Sequence, residues 1–334
     1  MKPKILVILS FLLTISCTRE LDVTRPNTPS GNFDAFWTTI DTRYCFHEEK
    51  AVDWNHIYDL YKPRVDTLDR KQERELFAVM AECIDYLKDG HVNLYAPFDV
   101  SRSDSWWKGY PGNFNNTLLY SKYMPDYQTA GGLYYSRIAA DSVGLIRYSS
   151  FSSTFSALNM IYVLNYFSDC KGLIIDVRNN GGGDIENAYR LAATFFSDNR
   201  LIGYWNHKTG SDRQAFSELE PLRVDTADMP CRWLRRVVVL CNRQTYSAAN
   251  LFVSMMRYAD NCLIVGGLTG GGGGMPLSYE LPNGWTLRFS AVKMYDADKK
   301  SIEDGIMPDA EVTLLSTDKD DLIEYAVEKI LEAY

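Results

Sequence analysis

Gly172-Leu173-Ile174-Ile175-Asp176-Val177-Arg178-Asn179-Asn180-Gly181-Gly182-Gly183-Asp184 is the stretch whose reading decides the fold. Its first half is short and nearly all apolar, as expected of a strand buried on both faces. Its second half is a polar turn that ends in three glycines. Asp184 then opens an apolar-periodic run that reads as a helix to residue 196. Outward from it the alternation recurs. Residues 143–148 read as a strand, 155–167 as an apolar helix, 236–241 as a strand, 247–258 as a helix and 262–266 as a strand. Strands alternating with helices specify an α/β domain with a parallel sheet, placed at residues 143–334. Asn283-Gly284, between 279–281 and 285–287, is a hairpin turn. Thr317 is placed as the cap of a last helix over 318–333.

Upstream the period is helical. Phe33, Phe36, Trp37, Ile40 and Tyr44 share one face. Leu76, Phe77, Met80, Cys83, Ile84 and Leu87 share another, and that helix is read as stopping at Asp89-Gly90. Residues 32–94 therefore form a small N-terminal helical module, and 95–142 is an aromatic connecting segment without a clear period.

The start of the chain reads as a targeting segment. Lys2 and Lys4 precede Ile5 to Leu13, which is apolar except for Ser10. Such a run is too short to span a bilayer and fits a signal-peptide core. Ser16-Cys17 follows it and resembles the lipobox of bacterial lipoproteins, with Thr14 where that motif usually has Leu. On that resemblance residues 1–17 are signal peptide and lipobox, Cys17 is the site of lipid attachment, and the polar stretch 18–31 is a tether. The expected setting is exported, at the cell envelope, lipid-anchored to a membrane. The net charge of −8 and the lack of a basic run argue against nucleic acid as a partner. Cys45, Cys83, Cys170, Cys231, Cys241 and Cys262 show no zinc spacing. No HExxH or calcium loop occurs, so no metal and no organic cofactor is expected.

Three features could carry chemistry. Ser247 follows a buried strand and opens a helix, where unpaired N–H groups and the positive dipole end lie. A serine there can attack a carbonyl while the N–H of Ala248 faces the developing oxyanion. The competing reading is a serine N-cap. The glycine turn 181–183 can bring further N–H groups to a ligand, Gly182 being the chosen donor, or can be merely a tight turn. It is not a phosphate loop, since neither GxGxxG nor GxxxxGK[ST] occurs. Of the four histidines, His47 and His56 read as surface groups in the helical module. His91 sits at an element junction, where it can serve as a base or as a structural residue.

The order Leu87-x-Asp89-Gly90-His91, then Asp176 to Gly183, then Ser247-Ala248-Ala249-Asn250, then Gly305-Ile306-Met307-Pro308-Asp309 resembles the C-terminal processing (tail-specific) serine peptidase family, in its tricorn-core-like branch. The resemblance implies a Clp-protease/crotonase-like catalytic domain and a peptide or protein substrate. The family's Ser–Lys arrangement is not expected: the glycine run 270–274 follows the serine, and no lysine lies between Ser247 and Lys293. The tricorn-like arrangement implies His91 as base and Glu303 as the carboxylate that orients it, with Asp304 as the neighbouring alternative. Three departures stand out. Gly90 replaces a serine often found before that histidine, Asn250 replaces an acidic residue, and 95–142 is too short for a PDZ domain. The second reading is a non-catalytic lipoprotein on the same fold. It would bind an apolar ligand or a peptide, with the aromatic segment 106–111 lining a groove.

Overall fold

The computed structural model describes residues 25–333. The signal segment, Cys17 and the start of the tether lie outside the described residues. The helices of nine or more residues are α1 (Pro29–Arg43), α2 (Trp54–Asp66), α3 (Glu73–Asp85), α4 (Ala157–Tyr166), α5 (Ile185–Ala193), α6 (Ala248–Met256) and α7 (Asp321–Leu331). The strands are β1 (Asn93–Ala96), β2 (Asp99–Val100), β3 (Gln128–Ala130), β4 (Leu133–Ile138), β5 (Val143–Arg147), β6 (Gly172–Asp176) and β7 (Arg200–His207). They continue with β8 (Glu220–Val224), β9 (Arg236–Cys241), β10 (Cys262–Gly266), β11 (Gly274–Glu280), β12 (Thr286–Asp296) and β13 (Ala310–Glu311). Among the described residues no helix is long and apolar enough to cross a membrane.

The chain divides into two compact units. One takes the described residues up to Trp106 together with His207–Ser217 and Gly274–Lys293. The other takes Trp107–Asn206, Glu218–Gly273 and the described residues from Met294.

In the first unit α1 starts on Thr28, whose side chain accepts the Gly31 N–H, with Pro29 in the first turn. Asp53 caps α2 in the same way through the His56 N–H. The apolar stripes of α1, α2 and α3 converge in a core of Phe33, Phe36, Trp54, Ile57, Leu76 and Met80. The β11–β12 hairpin contributes Trp285, Leu287 and Phe289 to that same core. β12 also pairs antiparallel with β1, Asn93 opposite Arg288. The helical module is thus completed by a hairpin from late in the chain. α3 ends at Asp85, and the residue that turns the backbone is Lys88, at φ 48°; Gly90 does not take the left-handed conformation assumed for it. His47, read as a surface group, is buried. Its Nε2 lies 2.9 Å from the Ile40 carbonyl, and its ring meets Tyr44 edge-on.

The second unit is built on a seven-stranded sheet in the order β13-β10-β9-β6-β5-β4-β3. β5, β6, β9, β10 and β13 run parallel, while β4 and β3 are antiparallel. β5 and β6 are buried at every position, the burial that their apolar runs anticipate, and each ends on a buried charged residue, Arg147 and Asp176. The strands expected at 236–241 and 262–266 have those bounds, and the others agree to a residue. The last helix begins later than expected: Asp320, not Thr317, is its cap, accepting the N–H groups of Leu322 and Ile323. Asp320 holds that place because it also pairs with a buried arginine.

Candidate active site

The loops after β6 and β9 meet at the carboxyl ends of the central parallel strands, where open α/β sheets place their sites. The interlock between them is dense and buried. Tyr246 N–H donates to the Asn180 carbonyl at 3.0 Å. Thr245 Oγ1 donates to the Val177 carbonyl at 2.9 Å, and Asn179 N–H donates to Asn242 Oδ1 at 2.9 Å. Asn180 is spent at both ends of its amide: Nδ2 donates to the Tyr148 carbonyl, and Oδ1 accepts the Gly182 N–H at 2.9 Å.

Beneath this interlock lies a buried ion cluster. Arg178 is completely buried and reaches Asp176 at 2.7 Å and Asp320 at 2.9 Å. Arg147 stands 3.5 Å from Asp176, and both guanidinium groups lie over the Phe114 ring, 4.8 and 5.1 Å from its centroid. Burial alone pushes the Asp176 carboxyl up, but the Arg178 and Arg147 charges outweigh it and hold the group below the ordinary range. Asp320 is pushed up by burial, which Arg178 only partly offsets. Arg178 therefore anchors the glycine-turn motif to the cap of α7.

Ser247 sits at the junction of this loop and α6. Its φ is 57° and its ψ −122°, a conformation that side chains other than glycine's rarely adopt. Its side chain makes no cap hydrogen bond to the helix, so the N-cap reading that competed with catalysis does not describe it. The turn is held by the backbone: Ser247 N–H donates to the Gly271 carbonyl at 2.9 Å, and Leu251 N–H donates to the Ser247 carbonyl at 2.9 Å. Ala248 is the first residue of α6, and its N–H has no acceptor within the helix. Gly182 lies against both residues. A Cβ built there would fall 2.8 Å from Ser247 Cβ and 2.9 Å from Ala248 N, at a φ of +96° that already favours glycine. Its own N–H goes to Asn180 Oδ1, so the N–H expected to serve as a donor is already occupied, and the lack of a side chain at Gly182 leaves room over the serine.

The run Gly270 to Gly273 joins the serine turn to the segment of Glu303. Gly271 would place a Cβ 1.8 Å from the Glu303 carbonyl, and Gly272 would place one 2.5 Å into the Tyr246 ring. Gly272 N–H donates to the Glu303 carbonyl at 3.1 Å. The sequence flagged this run, but no phosphate motif explained it. Its purpose is close backbone approach. Glu303 is buried, whereas its neighbour Asp304 is exposed.

His91 belongs to the first unit and is buried there. Its N–H donates to Asp89 Oδ1 at 2.8 Å, and its Nδ1 lies 3.9 Å from that oxygen. Asp89 Oδ2 accepts the hydroxyls of Ser290 at 2.8 Å and Tyr44 at 3.1 Å. These hydroxyls stand near a histidine whose preceding residue, Gly90, lacks one. Burial pulls the imidazole down to about 4. Asp89 opposes this, while Arg288 and Lys50 add to it. The contacts of Ser290 and Tyr44 with Asp89 were not readable from sequence, because Ser290 and Tyr44 come from distant segments. The segment 106–111 is a half- to fully exposed turn. Among the described residues no cluster of His, Cys, Asp and Glu could hold a metal ion.

Residues 142–312 match the model of Peptidase family S41, and residues 26–85 match that of the Tricorn protease C1 domain. The carboxy-terminal processing protease CtpA of Bacillus subtilis (strain 168) is 27% identical over 183 residues, which are 54% of this chain and 37% of that protein. The chain spans about a third of the length of the curated relatives it matches. A crystal structure of a provisionally assigned peptidase from Parabacteroides merdae ATCC 43184 is 40% identical. It superimposes with a TM-score of 0.86, covering 92% of this chain and 98% of that one. A lipoprotein from Streptococcus agalactiae, 14% identical with a TM-score of 0.60, covers 92% of this chain and 98% of its own; this likeness is one of fold.

Proposed function

The chain belongs to peptidase family S41, a family of serine-type peptidases, and on that premise we propose that it hydrolyses peptide bonds through a Ser247–His91–Glu303 triad. The observation that carries this reading is Ser247 itself. It is half-buried, held at a strained turn, and withheld from the capping role that would otherwise explain it. His91, kept neutral by burial, takes the Ser247 Oγ proton as the oxygen attacks the scissile carbonyl. The Ala248 N–H stabilises the oxyanion, which is strongest where the donor is already fixed. The imidazolium, oriented by Glu303, returns the proton to the leaving amine, and water then releases the acyl group by the same route.

Ser247→Ala tests this reading. It removes the attacking oxygen while keeping the fold. Turnover of peptide substrates is expected to fall by at least about a thousandfold. Peptide cleavage at the native rate by this variant, with its fold confirmed by circular dichroism, overturns the assignment.

The proposed setting is the cell envelope, with the chain held to a membrane by lipid on Cys17 and residues 18–31 as tether. The sequence Leu13-Thr14-Ile15-Ser16-Cys17 supports it, and the fold is one that a lipoprotein also uses. Cys17→Ser is expected to move the protein from the membrane pellet to the soluble exported fraction. Unchanged partition of that variant contradicts the anchor.

A further inference from the structure

We infer that Asn250 and Thr269 are positioning residues, which lock the segment carrying Glu303 onto the helix that Ser247 opens. The inference rests on Glu303 as the orienting acid. Both side chains are completely buried and belong to the same compact unit as Ser247 and Glu303. Asn250 lies in the first turn of α6. Its Nδ2 donates to the Ile302 carbonyl at 2.9 Å, and its Oδ1 accepts the Thr269 hydroxyl at 2.6 Å. The same Thr269 oxygen accepts the Ile306 N–H at 2.6 Å, and the Thr269 N–H donates to the Ile306 carbonyl at 3.1 Å. Ile302 and Ile306 bracket Glu303, so both ends of its loop return to one amide.

The chemistry of this clamp leaves little freedom. A carbonyl only accepts, so the amide nitrogen must face Ile302. The threonine oxygen already accepts the Ile306 N–H, so its proton goes to Oδ1. An aspartate at 250 would set a carboxylate oxygen against the Ile302 carbonyl, so asparagine suits this position where an acid does not. The backbone closes the circuit on the other side: Ser247 N–H donates to Gly271, and Gly272 N–H donates to Glu303. Gly305 completes the fit, since a Cβ there would fall 2.3 Å from the Thr269 carbonyl. Asn250 and Thr269 touch no reacting atom. They act by fixing where the Glu303 carboxylate stands, and a displacement of about 1 Å in such a group can cost about a hundredfold in rate.

The test is a set of double-mutant cycles on a fluorogenic peptide, with kcat and KM measured separately. Asn250→Ala and Thr269→Val are each expected to lower kcat by about ten- to a hundredfold with KM changed less than about twofold. Thr269→Ser, which keeps the hydroxyl, is expected to restore most of the loss. In a Glu303→Ala background the same substitutions are expected to cost less than about twofold more, because their effect passes through the missing carboxylate. If Glu303→Ala lowers kcat but Thr269→Val costs the same factor with and without Glu303, the positioning role is wrong and the Glu303 assignment stands. If Thr269→Ser rescues nothing, the positioning role is likewise wrong. If Glu303→Ala keeps the native rate, the Glu303 assignment fails and the inference falls with it. Thr269→Val is nearly isosteric, so the Val/Ser pair carries the test if Asn250→Ala does not fold.

Discussion

A serine at φ 57° and ψ −122° stores strain of about 1–3 kcal/mol, which its surroundings must hold. Glycine adopts that conformation freely, whereas alanine does not. Ser247→Gly is therefore expected to unfold at a higher temperature than Ser247→Ala, by a few degrees, for about 1 kcal/mol. Equal midpoints for the two variants would mean that the turn is not strained. His91 gives the second prediction at this scale. Burial holds the imidazole neutral down to about pH 4, with Asp89 opposing and Arg288 and Lys50 assisting. The base is active when unprotonated, so the acid limb of kcat/KM is expected near pH 4 and not near the ordinary histidine value of about 6.5. The sign for stability follows from proton uptake. Between those two values the unfolded chain binds a proton at this position and the folded one does not, so His91 adds stability as pH rises through that window. A pH–rate profile with its acid limb at 6.5 contradicts the account of His91.

Among the elements, the parallel strands were the most legible. β9 and β10 have the bounds their apolar runs suggested, because a strand buried on both faces needs an unbroken run. Helix ends were less legible, since a cap is chosen by tertiary partners as much as by local chemistry. Lys88 turns the chain where Gly90 was expected to, and Asp320 caps α7 in place of Thr317. The reason for the second is Arg178, which the glycine-turn motif contains but whose partner lies far along the chain. Arg178→Met is expected to destabilise the fold by about 3–5 kcal/mol, because it leaves Asp320 buried without its charge partner and Asp176 with Arg147 alone. Chemical denaturation measures this directly. A loss below about 1 kcal/mol would show that the cluster is not a support of the motif.

Over the whole molecule, sequence reading was weakest for pairings between distant segments. The β11–β12 hairpin was visible in Asn283-Gly284, yet nothing local said that its apolar face completes the core of the N-terminal helices. Helix α2 and strands β7 and β8 were not read at all, and His47 was placed on the surface although it packs against Tyr44. The candidate residues fared differently from one another. The neighbourhood of Ser247, Gly182 and Ala248 was foreshadowed by two short motifs. The reach of Asn250 and Thr269 was not, because asparagine and threonine carry no spacing signal of their own. The central claim is that Ser247 is the nucleophile, and the most direct measurement is to find where a fluorophosphonate attaches. Mass spectrometry of the labelled, digested protein is predicted to find the phosphonyl group on Ser247, with labelling abolished in Ser247→Ala. Attachment at another residue, or labelling that persists in Ser247→Ala, would contradict the account.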